Sequence, residues 1–153
     1  MKLSEHLDLA EVTRSDYAKR NGINNMPNAE HTENLIDLAN KIFEPIRKHF
    51  NKPIHISSGY RSKELNAKIG GANNSQHTKG QAIDIDQGDR KQNMEIFDFI
   101  KNNLEFDQLI LEHPVDGLPD WIHVSYDTNA KQRKEILVAK KVNGKTTYTK
   151  YND

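Results

Sequence analysis

Two histidines and one aspartate carry the most specific chemistry in this sequence. His77 and Asp84 are separated by six residues, and His123 lies in a later segment. Imidazole nitrogens and a carboxylate oxygen form a zinc ligand set, and three such ligands leave a fourth position for water, the catalytic rather than the structural pattern. The chain contains no cysteine, so thiolate sites and a disulfide framework are both excluded. One divalent ion held by nitrogen and oxygen is the expectation.

Hydrolysis at such a centre also needs a base that takes the water proton and returns it to the leaving amine. Asp120, three positions before His123, is the favoured candidate because it adjoins a ligand. Its plain alternative is a turn residue after Pro119. Glu112 is the rival, and it also reads as the partner that holds His77 or His123 in the right tautomer. Arg61 can bind a substrate carboxylate or stabilise an oxyanion, although an arginine in a turn is usually a solvated side chain. Ser75 and Gln76, beside His77, are weaker candidates for hydrogen bonds to substrate backbone. Among the other histidines, His6, His31 and His49 read as surface residues, His55 as the polar face of a strand, and His113 as a neighbour of the site.

These residues need strands and turns to hold them. Ala82 to Asp86 alternates apolar and acidic residues with period two, which predicts a strand with Ile83 and Ile85 inward and Asp84 outward. Gly80 supplies the turn that returns His77 over that outer face. Asp120 to Ser125 alternates likewise and turns His123 away from the core, while Leu109 and Leu111 mark one face of a strand from Gln108 to Glu112. Residues 3 to 22 read as a helical opening segment capped by Ser4. Leu35, Leu38, Ile42, Phe43, Ile46 and Phe50 keep helical spacing, with Pro45 expected to kink or split the helix. A strand over Ile54–Ser57, a helix capped by Ser62 and ended by Gly70-Gly71, and a helix over Arg90–Asn103 follow. Asn143-Gly144 between two strand patterns predicts a tight hairpin spanning 134–151. The sum is one α+β domain over 1–153, with helices packed on a mostly antiparallel sheet and the zinc site on the sheet's open face.

Formal charge is zero, from 22 basic and 22 acidic residues, which argues against electrostatic binding of nucleic acid. No apolar run is long enough to span a bilayer. The N-terminus lacks a signal-peptide core, so synthesis in the cytoplasm is expected, with holin-type release to the cell wall as one route outward. A monomer is expected.

The ordered motifs resemble the zinc D-Ala-D-Ala carboxypeptidases and their relatives, which include D-Ala-D-Ala dipeptidases, phage peptidoglycan endopeptidases and the hedgehog-like zinc fold. The pattern Ser-x-His-x-x-Gly-x-Ala-x-Asp appears as Ser75, His77, Gly80, Ala82 and Asp84, and acidic-x-x-His appears as Asp120 to His123. Ser58 to Ser62 is similar to the family's arginine motif, continued by Asn66 and Gly70-Gly71-Ala72. Phe106 to Ile110 and Trp121 to Ser125 resemble the phage and prophage branch. The likeness covers about residues 3–126. It implies zinc on His77, Asp84 and His123, substrate or transition-state contact by Arg61, and Asp120 as general base. Many relatives carry glutamate at the Asp120 position, and aspartate is seen in some phage endopeptidases. The implied activity is hydrolysis of peptidoglycan stem peptides, as a carboxypeptidase or an endolysin-type endopeptidase. The alternative is a non-catalytic, zinc-stabilised wall-binding or virion module of the same fold.

Overall fold

The computed structural model describes residues Met1–Asp153. Its strands are β1 (Ile56–Ser58), β2 (Ala82–Ile85), β3 (Gln108–Glu112), β4 (Trp121–Ser125), β5 (Glu135–Val142) and β6 (Lys145–Lys150). They form one sheet in the order β1-β2-β4-β3-β5-β6. Four pairings are antiparallel and the β3–β5 pairing is parallel, so the sheet is mixed. The α+β class expected from the sequence is the class observed.

One face of the sheet is covered by helices. Ile83, Ile85, Leu109, Leu111, Ile122 and Val124 point into that layer and are all buried. They meet α3 (Ala29–Leu38) and α4 (Glu44–Phe50) through Leu35, Leu38 and Ile46, and, beyond the short α5 (Lys63–Lys68), α6 (Arg90–Asn103) through Ile96, Phe97 and Ile100. Period two then sends Asp84, Ile110, Glu112 and His123 to the opposite face. The core therefore fixes which residues can reach the site.

Two local readings are corrected and a third is refined. The opening segment is two one-turn helices, α1 (Leu9–Thr13) and α2 (Asp16–Arg20), capped by Asp8 and Ser15. Asp8 and Glu11 cap reciprocally, while the Ser4 hydroxyl donates to Glu44 at 2.6 Å instead of capping a helix. The interruption expected at Pro45 is present, and it divides the helical run into α3 and α4. A π-turn over Ala39–Phe43 joins α3 to α4 and places the proline in the first turn of α4, where its missing N–H costs least. The strand expected over Ile54–Ser57 is shifted to Ile56–Ser58, with His55 left outside it.

The C-terminal hairpin turns at Asn143 and Gly144, both with positive φ (52° and 78°), as a two-residue turn between twisted strands requires. Its first strand continues the sheet beside β3, and β6 forms the free edge.

Candidate metal centre

Asp84 and His123 are directly opposed across the β2–β4 pair, so the register alone sets them side by side. His77 comes from a 3-10 turn over Gln76–Lys79. Ser75 starts this turn by accepting the His77 backbone N–H at 3.2 Å, which occupies the serine hydroxyl locally. Gly80 ends it with φ +73°, and a Cβ there would lie 2.5 Å from the His31 carbonyl on α3. Only glycine allows the loop to press that closely on the helix. Gly59 is constrained in the same way, since its Cβ would lie 2.5 Å from the Val12 carbonyl.

The Gly59 carbonyl accepts a hydrogen bond from His77 Nδ1–H at 2.7 Å. With that proton on Nδ1, the other ring nitrogen of the neutral imidazole presents a lone pair. His77 Nε2 lies 3.3 Å from Asp84 Oδ1, and His123 Nδ1 lies 3.1 Å from the same oxygen. Two imidazoles and a carboxylate thus converge in a buried place, with the His77 Nε2 lone pair facing Asp84, and a single cation fits this set of ligand atoms. One ligand atom from each of the three residues falls within 4.8 Å of the others, and all three residues are buried. Burial alone would raise the Asp84 carboxyl, but the His77 and His123 imidazoles outweigh it and hold the group well below the usual carboxylate range. Donor types, spacing and charge all fit one zinc ion.

A cavity of about 800 Å³ opens over these residues, lined also by Arg61, Glu112, Ser75 and Gln76. Arg61 is held in place: its Nε donates to the Ser58 hydroxyl at 3.1 Å, one Nη donates to Asn66 Oδ1 at 3.2 Å, and the other is 3.6 Å from Asp84 Oδ2. Gln76 donates to Asp107 Oδ2 at 3.1 Å. Asp107 in turn accepts from the Arg133 guanidinium at 2.7 Å, and this arginine outweighs burial and lowers the Asp107 carboxyl. The loop carrying His77 is thereby tied to the segment that leads into β5.

Glu112 and Asp120 occupy different places. Glu112 is 8 % exposed and lines the cavity. Burial, then the Asp84 charge, pushes its carboxyl up to about 7 against the opposing pull of His123 and Arg61, and no hydrogen-bond donor holds it. Asp120 is outside the cavity lining. Its carboxylate lies 3.7 Å from Arg90 and its side chain is half exposed. The cause is parity: His123 and Trp121 share the site's face, so Asp120 is out of phase with His123, whereas Glu112 is in phase with Ile110, the residue opposite His123.

Sequence reasoning also passed over Tyr148, Thr146, Leu137 and Arg133, which line the same cavity from the C-terminal segment. Their signal was the hairpin alternation, but which sheet edge the hairpin joins is not local information. His113 lines the cavity too, with its ring 5.1 Å from that of Trp121. His6 is in a separate group with Glu5 and Glu44 whose ligand atoms are close enough for a metal. There Glu44 already accepts from the Ser4 hydroxyl and the His6 backbone N–H, and its other oxygen meets the His6 ring at 2.7 Å. It is a clasp for the N-terminal arm.

A family model described as Peptidase M15 matches residues 5–125. The chain belongs to this family of zinc peptidases, the metallopeptidases of D-Ala-D-Ala carboxypeptidase type. No curated protein sequence matches the chain. The family match includes every residue of the His77–Asp84–His123 group and ends at the last residue of β4.

Proposed function

We propose that this protein is a zinc-dependent peptidase that hydrolyses a peptide bond in peptidoglycan stem peptides, with one zinc ion on His77, Asp84 and His123. The observation that carries the reading is the buried His77–Asp84–His123 group, its ligand atoms close enough to share one ion, in a cavity that Arg61 and Glu112 also line. Zinc bound there supplies Lewis acidity for the scissile carbonyl and makes water acidic near neutral pH.

In this reading Glu112 is the general base. Its carboxyl lines the cavity beside the ligand group with no hydrogen-bond donor holding it, so it is free to take a proton from the attacking water and return it to the departing amine. Arg61, fixed by Ser58 and Asn66, offers its guanidinium to the substrate carboxylate or to the oxyanion that develops on the carbonyl. Gln76 orients the His77 loop through Asp107, and Ser75 caps that loop. Asp120, the base implied by the family resemblance, is assigned to a surface ion pair with Arg90. A phage or prophage source, action as a monomer and delivery to the cell wall belong to the same proposal.

The test is incubation of the purified protein with peptidoglycan, with and without a chelator, and identification of released fragments by mass. Chelator-sensitive release is expected, and the fragments name the bond, separating trimming of a terminal D-Ala from cleavage within the stem. Glu112→Gln should keep zinc and lose about 10²- to 10⁴-fold in kcat, while Asp120→Asn should stay within about threefold of wild type, the small effect of a surface ion pair. The opposite ranking returns the base role to Asp120. Absence of chelator-sensitive release would leave a zinc-stabilised binding module as the reading.

A further inference from the structure

The cavity has a wall that the family match does not contain. Strand β6 begins twenty residues after the match ends at residue 125, yet Thr146 and Tyr148 line the cavity beside the metal group. The register explains how they arrive there. Glu112 on β3 is opposite Ala139 on β5, and Ala139 is opposite Tyr148 on β6, so the three share one face of the sheet. The residue between the glutamate and the tyrosine is a fully buried alanine, too small to screen one from the other. In the adjacent row, His123 is opposite Ile110 and Ile110 opposite Leu137. The hairpin thus extends the same surface that carries the ligands, and its outer strand places a phenol across from Arg61's side of the cavity.

The geometry points to Tyr148 as a substrate-contacting residue, its hydroxyl donating a hydrogen bond to the carbonyl oxygen of the scissile or an adjacent peptide. This rests on the peptidase reading above. Three features favour a ligand contact over a surface tyrosine. The ring is 56 % exposed although it lies over a cavity, so its tip is free to meet a ligand. Only burial and the Glu112 and Asp84 charges act on the phenol, and no group within the chain takes its hydrogen bond. Those same influences raise its pKa, which keeps it a donor at neutral pH. Arg61 and Tyr148 then supply donors from the two ends of the sheet, with the ligand set between them.

Tyr148→Phe removes the hydroxyl and keeps the ring. Turnover on peptidoglycan and binding of a phosphinate dipeptide to the zinc-loaded protein are measured together, because a phosphinate presents tetrahedral anionic oxygens without reacting. The expected result is a fall in kcat on the order of tenfold and a comparable weakening of phosphinate binding, with zinc content and melting temperature unchanged. Thr149→Val, on the opposite face of the same strand, should change neither. Wild-type turnover and phosphinate binding in Tyr148→Phe overturn the assignment and leave the peptidase reading intact. If wild type releases no fragments but Tyr148→Phe still weakens phosphinate binding, the tyrosine assignment stands and the peptidoglycan reading fails. If wild type neither cleaves nor binds the phosphinate, both fall.

Discussion

Glu112 has a titration with a definite sign. A carboxyl raised from 4.5 to about 7 holds its proton more tightly in the folded chain than in the unfolded one. Its favourable contribution is complete below about pH 4.5 and is lost as pH rises through about 7. In the metal-free protein, Glu112→Gln should match wild type near pH 4.5 and melt a few degrees higher at pH 8. Thermal melting in chelator across that range checks this, and a difference independent of pH would contradict it. The same residue shows what the sequence made legible. His77, Asp84 and His123 were readable because residue type and strand alternation agreed. Alternation also bore on the base, since an odd spacing on a strand puts Asp120 on the other face from His123, whereas Leu109 and Leu111 inward put Glu112 outward. That periodic signal competed with simple adjacency to His123, which favoured Asp120.

The turn that carries His77 depends on its packing against α3. Gly80→Ala meets both a left-handed backbone and the His31 carbonyl, whereas Gly88→Ala meets only the backbone term, since nothing lies within 4 Å of its Cβ. The first should therefore be destabilised beyond the roughly 1–2 kcal/mol of the second, and it should weaken zinc binding about tenfold or more by displacing the His77 ring. Equal melting temperatures and equal zinc affinities for the two variants would contradict the close approach. Elements with strong local signals were legible: α6, β3, β4 and the Asn143-Gly144 hairpin lie close to where their periodicity and turn chemistry place them. The opening segment was not, because Ser4 is drawn to Glu44 forty residues away. The π-turn before Pro45 was also hidden, since a proline announces an interruption without specifying how packing against the sheet absorbs it.

At the scale of the molecule, the sheet works as a divider. Its apolar face binds the helices, and its other face gathers the His77–Asp84–His123 group, an arginine, a glutamate and a tyrosine from Arg61 to Tyr148. The parallel pairing of β3 with β5 completes that surface. It was illegible in the sequence because the connection from residue 126 to 134 has no periodicity, and its path is fixed by Arg133 closing on Asp107. The family's own residues form the floor of the cavity, and the C-terminal hairpin raises one wall. The chemistry proposed for this cavity depends on one ion meeting three side chains. The most direct measurement is a crystal of the zinc-loaded protein with diffraction recorded on both sides of the zinc absorption edge. One anomalous peak is predicted, within bonding distance of His77 Nε2, an Asp84 carboxylate oxygen and His123 Nδ1. A zinc peak elsewhere, or none at this place in protein shown to contain zinc, would contradict the account.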